Sequence, residues 1–202
     1  MSLRFDPYNV IITGVGGQGN VMASRVLGNM LSRKGLFVTI GETFGASQRG
    51  GSVMSHLRIS AGETWSPQIP KGKAHMIVAL EPTEALRVLN EYGNPGVKAI
   101  INTRPVYSVG VISGDQSYPK WQDVETWTAE MTEKAWFIPA TDEAVKMGAP
   151  ILGNIMMIGA LAGSGELPMD RGDFEDIISR TMSADKVAAN LTAYDMGMRM
   201  TA

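Results

Sequence analysis

Gly14, Gly16 and Gly19 stand in the spacing G-x-G-x-x-G, directly after the β-branched run Val10-Ile11-Ile12 and ahead of a segment with apolar residues at Val21, Met22, Val26, Met30 and Leu31. With Gly17 and Gln18 they form the turn GVGGQG, where a buried strand hands over to a helix. The chemistry open to such a turn is anion binding. Glycine tolerates unusual backbone angles, a missing Cβ lets a phosphate come close, and the N–H groups and dipole of the helix start favour negative charge. The same glycines also occur where a helix simply packs tightly on a sheet, so both roles stay open.

A second chemistry-bearing stretch is Gln48-Arg49-Gly50-Gly51-Ser52, which leads into the alternating run VMSHLRIS at 53–60. Side-chain donors beside paired glycines with exposed backbone N–H groups suit a carboxylate or phosphate contact, or a tight protein interface. Glu42 lies near the place where a dinucleotide-binding domain puts an acid on the ribose. The loop after it does not turn into a second helix, which favours an ordinary strand-end carboxylate. Glu81, at the end of the apolar run MIVAL, reads as a charge complementing a helix start. Lys71 and Lys73 read as solvated loop lysines.

The elements that must position these residues alternate. Strands are expected over 10–12, 36–40, 53–60, 76–80, 97–102 and 135–139, and helices over 20–34, 81–92 and 120–134. The strand at 36–40 is expected beside the first strand as a parallel βαβ pair. A short strand is expected near 109–112, in the least readable part of the chain. Trp121, Val124 and Trp127 at helical spacing read as core. Thr141 is the expected cap of the next helix, and ILGNIMMIGAL at 151–161 is too short for a membrane span and reads as a buried helix carrying one polar residue, Asn154. Helices at 170–182 and 186–198 close the chain. The fold class is α/β, Rossmann-like, a mostly parallel sheet with helices on both faces and a helical C-terminal segment, with residues 1–202 as one domain.

Composition narrows the function. The 202 residues are 44% hydrophobic and carry 18 Lys and Arg against 20 Asp and Glu, a balance that argues against nucleic acid as a partner. There are no cysteines, which removes thiolate catalysis, cysteine-held zinc and iron–sulfur clusters held by this chain. His56 and His75 lack ligand-spaced neighbours, so no metal site is expected. No apolar run is long enough to span a membrane and the start lacks a signal-peptide core, so the expected location is the cytoplasm. The commonest hydrolase and kinase signatures are absent.

The pairing of GVGGQG with SQRGGSVMSHLRIS, over nearly the whole chain, resembles the gamma-type subunit or domain of the 2-oxoacid:acceptor oxidoreductases, and within them the beta subunits of the indolepyruvate branch. The C-terminal series of buried helix, LP turn, acidic helix and final helix fits the same resemblance. It implies a subunit of an enzyme that decarboxylates a 2-oxoacid oxidatively to an acyl-CoA and reduces ferredoxin. Indolepyruvate or another aryl 2-oxoacid is the implied substrate. Thiamine diphosphate and iron–sulfur clusters are then expected on partner subunits, with ferredoxin reached through the complex. This chain alone would be inactive, supply no catalytic residue, and complete the active site at an interface. The binding residues so implied are Gly14, Gly16, Gly17, Gln18, Gly19, Gln48, Arg49, Gly50, Gly51 and Ser52, with Arg49 the charged contact and coenzyme A a further candidate ligand. The alternative is a stand-alone Rossmann-type nucleotide-binding protein, which gives the QRGGS loop no task.

Overall fold

The computed structural model describes residues 3–45 and 51–202. In chain order the elements are β1 (Tyr8–Val15), α1 (Asn20–Arg33), β2 (Phe37–Phe44), β3 (Ser52–Ser60), β4 (Met76–Ala79), α2 (Pro82–Tyr92) and β5 (Lys98–Asn102). Then come α3 (Val109–Ile112), α4 (Trp121–Met131), β6 (Lys134–Ile138), α5 (Ala140–Lys146), α6 (Gly153–Gly163), α7 (Arg171–Ser179) and α8 (Ala184–Arg199). The strands form one sheet in the order β2-β3-β1-β4-β5-β6. Pairings β1–β4, β4–β5 and β5–β6 are parallel, while β3 runs antiparallel to both β1 and β2.

This corrects the expected βαβ pair. β2 points the same way as β1 but does not touch it, because β3 folds back after β2 and takes the place between them. That insertion explains why Val53–Ser60 is buried on both faces, including Ser55, His56 and Arg58, where alternation had suggested one wetter face. His56 packs edge-on against Tyr92 and accepts from the Ile69 N–H at 3.3 Å.

β1 is wholly buried because both its faces are covered. Val10 and Ile12 join a core with Leu27 and Met30 of α1 and Ile155 and Ile158 of α6, while Ile11 joins Val88 and Leu89 of α2 on the other face. α6 is apolar all round and packs backbone to backbone on α8, where a Cβ on Gly197 would overlap the carbonyl of Met156. Only glycine allows that approach. Met156 and Met157 are fully buried core residues.

Three local expectations change. Residues 109–112 form one helical turn rather than a strand, because the Ser108 side chain accepts from the Val111 N–H and caps it. Of the expected core trio on α4 only Val124 is fully buried; Trp121 lies edge-on to Phe137 and Trp127 is 45% exposed, since this helix sits at the rim beside the last strand. Thr141 is the second residue of α5 rather than its cap, and its hydroxyl accepts from Asn102.

Candidate functional site

β1, β2, β4, β5 and β6 all end at one edge of the sheet, the side where ligands sit in open α/β folds. β3 begins there. The register Val15↔Ser52 therefore sets the glycine turn beside the end of the QRGGS loop. The join is direct, since the Gly16 N–H donates to the Gly51 carbonyl at 2.8 Å. Two motifs separated in sequence meet in one place.

The turn is built by its own side chain. The Gln18 carboxamide accepts from the Val15 N–H at 2.9 Å and donates to the Leu80 carbonyl at 2.8 Å, stapling the turn to the end of β4. A Cβ on Gly14 would stand 2.6 Å from Gln18 Oε1 and 3.0 Å from Leu80 Cβ, so glycine at 14 makes room for that staple. Gly17 and Gly19 take φ of 103° and 84°. Gly19 starts α1 in the left-handed conformation with no side-chain cap, so the first N–H groups of the helix lack a capping side chain.

Ser52 is held on the other side of the join. Its hydroxyl donates to Glu84 Oε2 at 2.6 Å and accepts from Arg87 at 2.6 Å, and Arg87 also pairs with Glu84 at 2.7 Å. The loop's end is thus latched to α2. Gln48, Arg49 and Gly50 lie outside the described residues.

Beside the turn opens a cleft of about 280 Å³, lined by Gly17, Gln18, Asn102, Arg104, Thr141 and Asn154 among others. Asn102, buried at the end of β5, donates to the Leu80 carbonyl at 3.0 Å and accepts from the Thr141 N–H at 3.1 Å. Leu80 therefore receives donors from both the turn and β5. Arg104 is the one ionisable residue among the cleft's described lining, and it pairs with Asp142 at 2.7 Å on the surface. The described lining thus offers backbone and amide groups and one guanidinium shared with Asp142.

The segment over the cleft is tied down by Glu81, which is fully buried. One carboxylate oxygen accepts from Thr83 at 2.6 Å and the Glu84 N–H at 2.9 Å, and the other from Tyr118 at 2.6 Å and the Val106 N–H at 3.3 Å. Burial, then the bond to Glu81, push the Tyr118 hydroxyl well above its ordinary value. Glu81 stands at the start of α2, as expected of a charge complementing that helix start, and it also caps the helix through the Glu84 N–H, with this second task added.

Asn102, Leu80, Thr141 and the second task of Glu81 were not found from sequence. A polar residue ending the buried strand at 97–102 was the available signal. Lys71 pairs with Glu91 near the end of α2, at the opposite edge from the turn, and does not join the site. Glu42 is on edge strand β2, separated from the glycine turn by β3. The ribose-binding arrangement of a dinucleotide domain is therefore not built here. Among the described residues no cluster of three His, Cys, Asp or Glu could hold a metal ion, and no helix is long and apolar enough to cross a membrane.

Comparison with known proteins agrees with this geometry. The sequence profile of the family described as pyruvate ferredoxin/flavodoxin oxidoreductase matches residues 9–200. The chain is 35% identical to the indolepyruvate oxidoreductase subunit IorB of Archaeoglobus fulgidus, over 94% of this chain and 92% of that one. It is 34% identical to the protein of the same name from Pyrococcus horikoshii, over 95% of each. The pyruvate oxidoreductase subunit PORC of Thermotoga maritima shares the fold with a TM-score of 0.73 at 19% identity, covering 97% of both chains. A 2-oxoglutarate:ferredoxin oxidoreductase from Magnetococcus marinus superposes with a TM-score of 0.76 at 19% identity, over 98% of this chain and 31% of that longer one. The chain belongs to the pyruvate ferredoxin/flavodoxin oxidoreductase family.

Proposed function

We propose that this chain, acting as a single domain in the cytoplasm, is the gamma-type subunit of a 2-oxoacid:ferredoxin oxidoreductase of the indolepyruvate type. It completes an active site whose thiamine diphosphate and iron–sulfur clusters belong to partner subunits, and electrons leave through the complex to ferredoxin. The observation that carries the reading is the hydrogen bond from Gly16 to Gly51, which joins the glycine turn to the end of the QRGGS loop. A self-contained nucleotide site would leave that loop without a task.

Within the complex the turn holds the acyl acceptor. The uncapped start of α1 and the neighbouring Arg104 suit the phosphates of coenzyme A, a molecule bound in the Magnetococcus marinus structure. Coenzyme A supplies the thiol that receives the acyl group; this chain's part is to bind and orient it. Arg49 adds the charged contact from the loop, to the coenzyme, the substrate carboxylate or the thiamine-bearing subunit.

The test is turnover by the complex purified through a tag on this chain, carrying Arg49→Ala or Gly16→Ala. A rise in KM for coenzyme A or the 2-oxoacid by about tenfold, equivalent to ~1.4 kcal/mol, is expected. Full activity in both variants would make the chain a purely structural subunit.

A further inference from the structure

β2 forms one edge of the sheet and is eight residues long. Its ladder with β3 uses the N–H and C=O groups of alternate residues, and those of the others point outward. Among the described residues, no backbone hydrogen bond outside the ladders reaches Phe37–Phe44 from another segment. The strand ends on exposed phenylalanines, Phe37 at 44% and Phe44 at 60%, and Glu42 is its one charge. The opposite edge is guarded: β6 has five residues and opens on the exposed Lys134. β2 is longer and has neither lysine nor proline, which makes it a template for another strand.

The sequence FVTIGETF is complementary to itself. Successive side chains alternate between faces, so a two-fold axis normal to the sheet can pair β2 with its own copy only about a single residue. Centred on Gly41, the register sets Val38 against Phe44 of the copy, Thr39 against Thr43 and Phe37 against Gly45. β-branched with aromatic, threonine with threonine and aromatic with glycine are pairings that stabilise antiparallel neighbours. Ile40 faces Glu42, so the two carboxylates meet only on the diagonal. Pro67 roofs Gly41, where a Cβ would stand 2.8 Å from the proline Cβ, and the axis sets the two proline rings side by side. Centring on Ile40 instead puts Thr39 against Gly41 and loses these pairs.

We propose that β2 pairs antiparallel with β2 of a second copy of this chain, centred on Gly41, so that one sheet runs through both copies. β2 ends at the same edge of the sheet as the glycine turn, and antiparallel pairing therefore points the turn and cleft of the copy in the opposite direction. Both clefts stay open to further subunits. An assembly built on this contact holds the chain in pairs.

The test is sedimentation equilibrium of the full chain, with amide hydrogen exchange followed at low and high concentration. A monomer–dimer equilibrium with Kd on the order of 10 μM is expected, as suits an interface at the small end of the specific range. Exchange at 37–44 slows as the dimer forms. Thr39→Glu with Thr43→Glu sets like charges opposite one another in two pairs and raises Kd at least about tenfold. Thr39→Glu with Thr43→Lys makes both pairs opposite in charge and returns Kd to within about threefold of the parent. Glutamates at Gln122 and Thr126 instead, exposed on α4 beside the other edge, leave Kd unchanged. Circular dichroism verifies that each variant is folded. A chain still monomeric at about 100 μM, a dimer whose β2 amides exchange no more slowly, or equal Kd for the Glu/Glu and Glu/Lys variants would each overturn the proposal. Self-association of the chain alone reads this edge, whereas turnover with Arg49→Ala reads the coenzyme assignment, so either can fail without the other.

Discussion

Gly19→Ala separates backbone strain from crowding at the start of α1. Gly17 and Gly19 both have positive φ, 103° and 84°. An alanine in either place adopts a conformation disfavoured for L-residues, at about 1–2 kcal/mol. Their surroundings differ. A Cβ at 17 has nothing within 4 Å, while one at 19 overlaps Asn154 Nδ2, in a residue only 3% exposed. Gly19→Ala must also swing that buried amide out of place and give up its contact with the Gly19 carbonyl, adding about 1 kcal/mol. We therefore expect losses of about 1–2 kcal/mol for Gly17→Ala and about 2–3 kcal/mol for Gly19→Ala. Asn154→Ala removes the obstacle, so the double variant with Gly19→Ala should be more stable than additivity predicts by about 1 kcal/mol. Urea denaturation of the four chains completes the cycle. Equal losses at 17 and 19, or strict additivity, would refute the argument.

Glu84→Ala removes the acceptor shared by Ser52 and Arg87, and we expect a loss of about 1–3 kcal/mol by denaturant titration. Arg87→Ala, at a side chain 40% exposed, should change stability by less than about 1 kcal/mol. Acid sensitivity should centre on Glu166. Burial pushes its carboxyl up, but hydrogen bonds from Lys98 and Tyr8 outweigh that and hold it below the ordinary value. A carboxylate depressed in the folded state contributes stability above its unfolded pKa of about 4.3, and that stability disappears as pH falls through the folded value. Lys98→Met should accordingly move the acid unfolding limb to higher pH. His56 works in the same direction, because burial lowers its pKa and the unfolded chain takes up the proton first. Stability should fall as pH drops below about 6.5, and His56→Leu should flatten that slope.

Much of this was legible in the residues. The glycine spacing located the strand-turn-helix, and the continuous apolar runs located β1 and β4 because strands covered on both faces need no polar alternation. Strand order was not legible. The residues of β3 say strand but not which neighbour they join, and the displacement of β2 from β1 follows from long-range pairing. Within the site, the positive φ of Gly17 and Gly19 suits the residue type, and Gln18, expected among the binding residues, lines the cleft and also staples the turn. Its partner, the Leu80 carbonyl, is a backbone atom that no side-chain pattern announces. Glu81 was readable as a helix start through the proline after it. Its hold on Val106 and Tyr118 depends on how a loop with little periodicity folds back.

The most direct measurement is a pull-down of the tagged chain from its native cells, with iron determined in the eluate and 2-oxoacid-dependent reduction of an artificial electron acceptor assayed. The account predicts a larger, iron-containing partner and activity that depends on coenzyme A and is missing from the isolated chain. Recovery of a lone protein, with neither iron nor 2-oxoacid-dependent reduction, would contradict it.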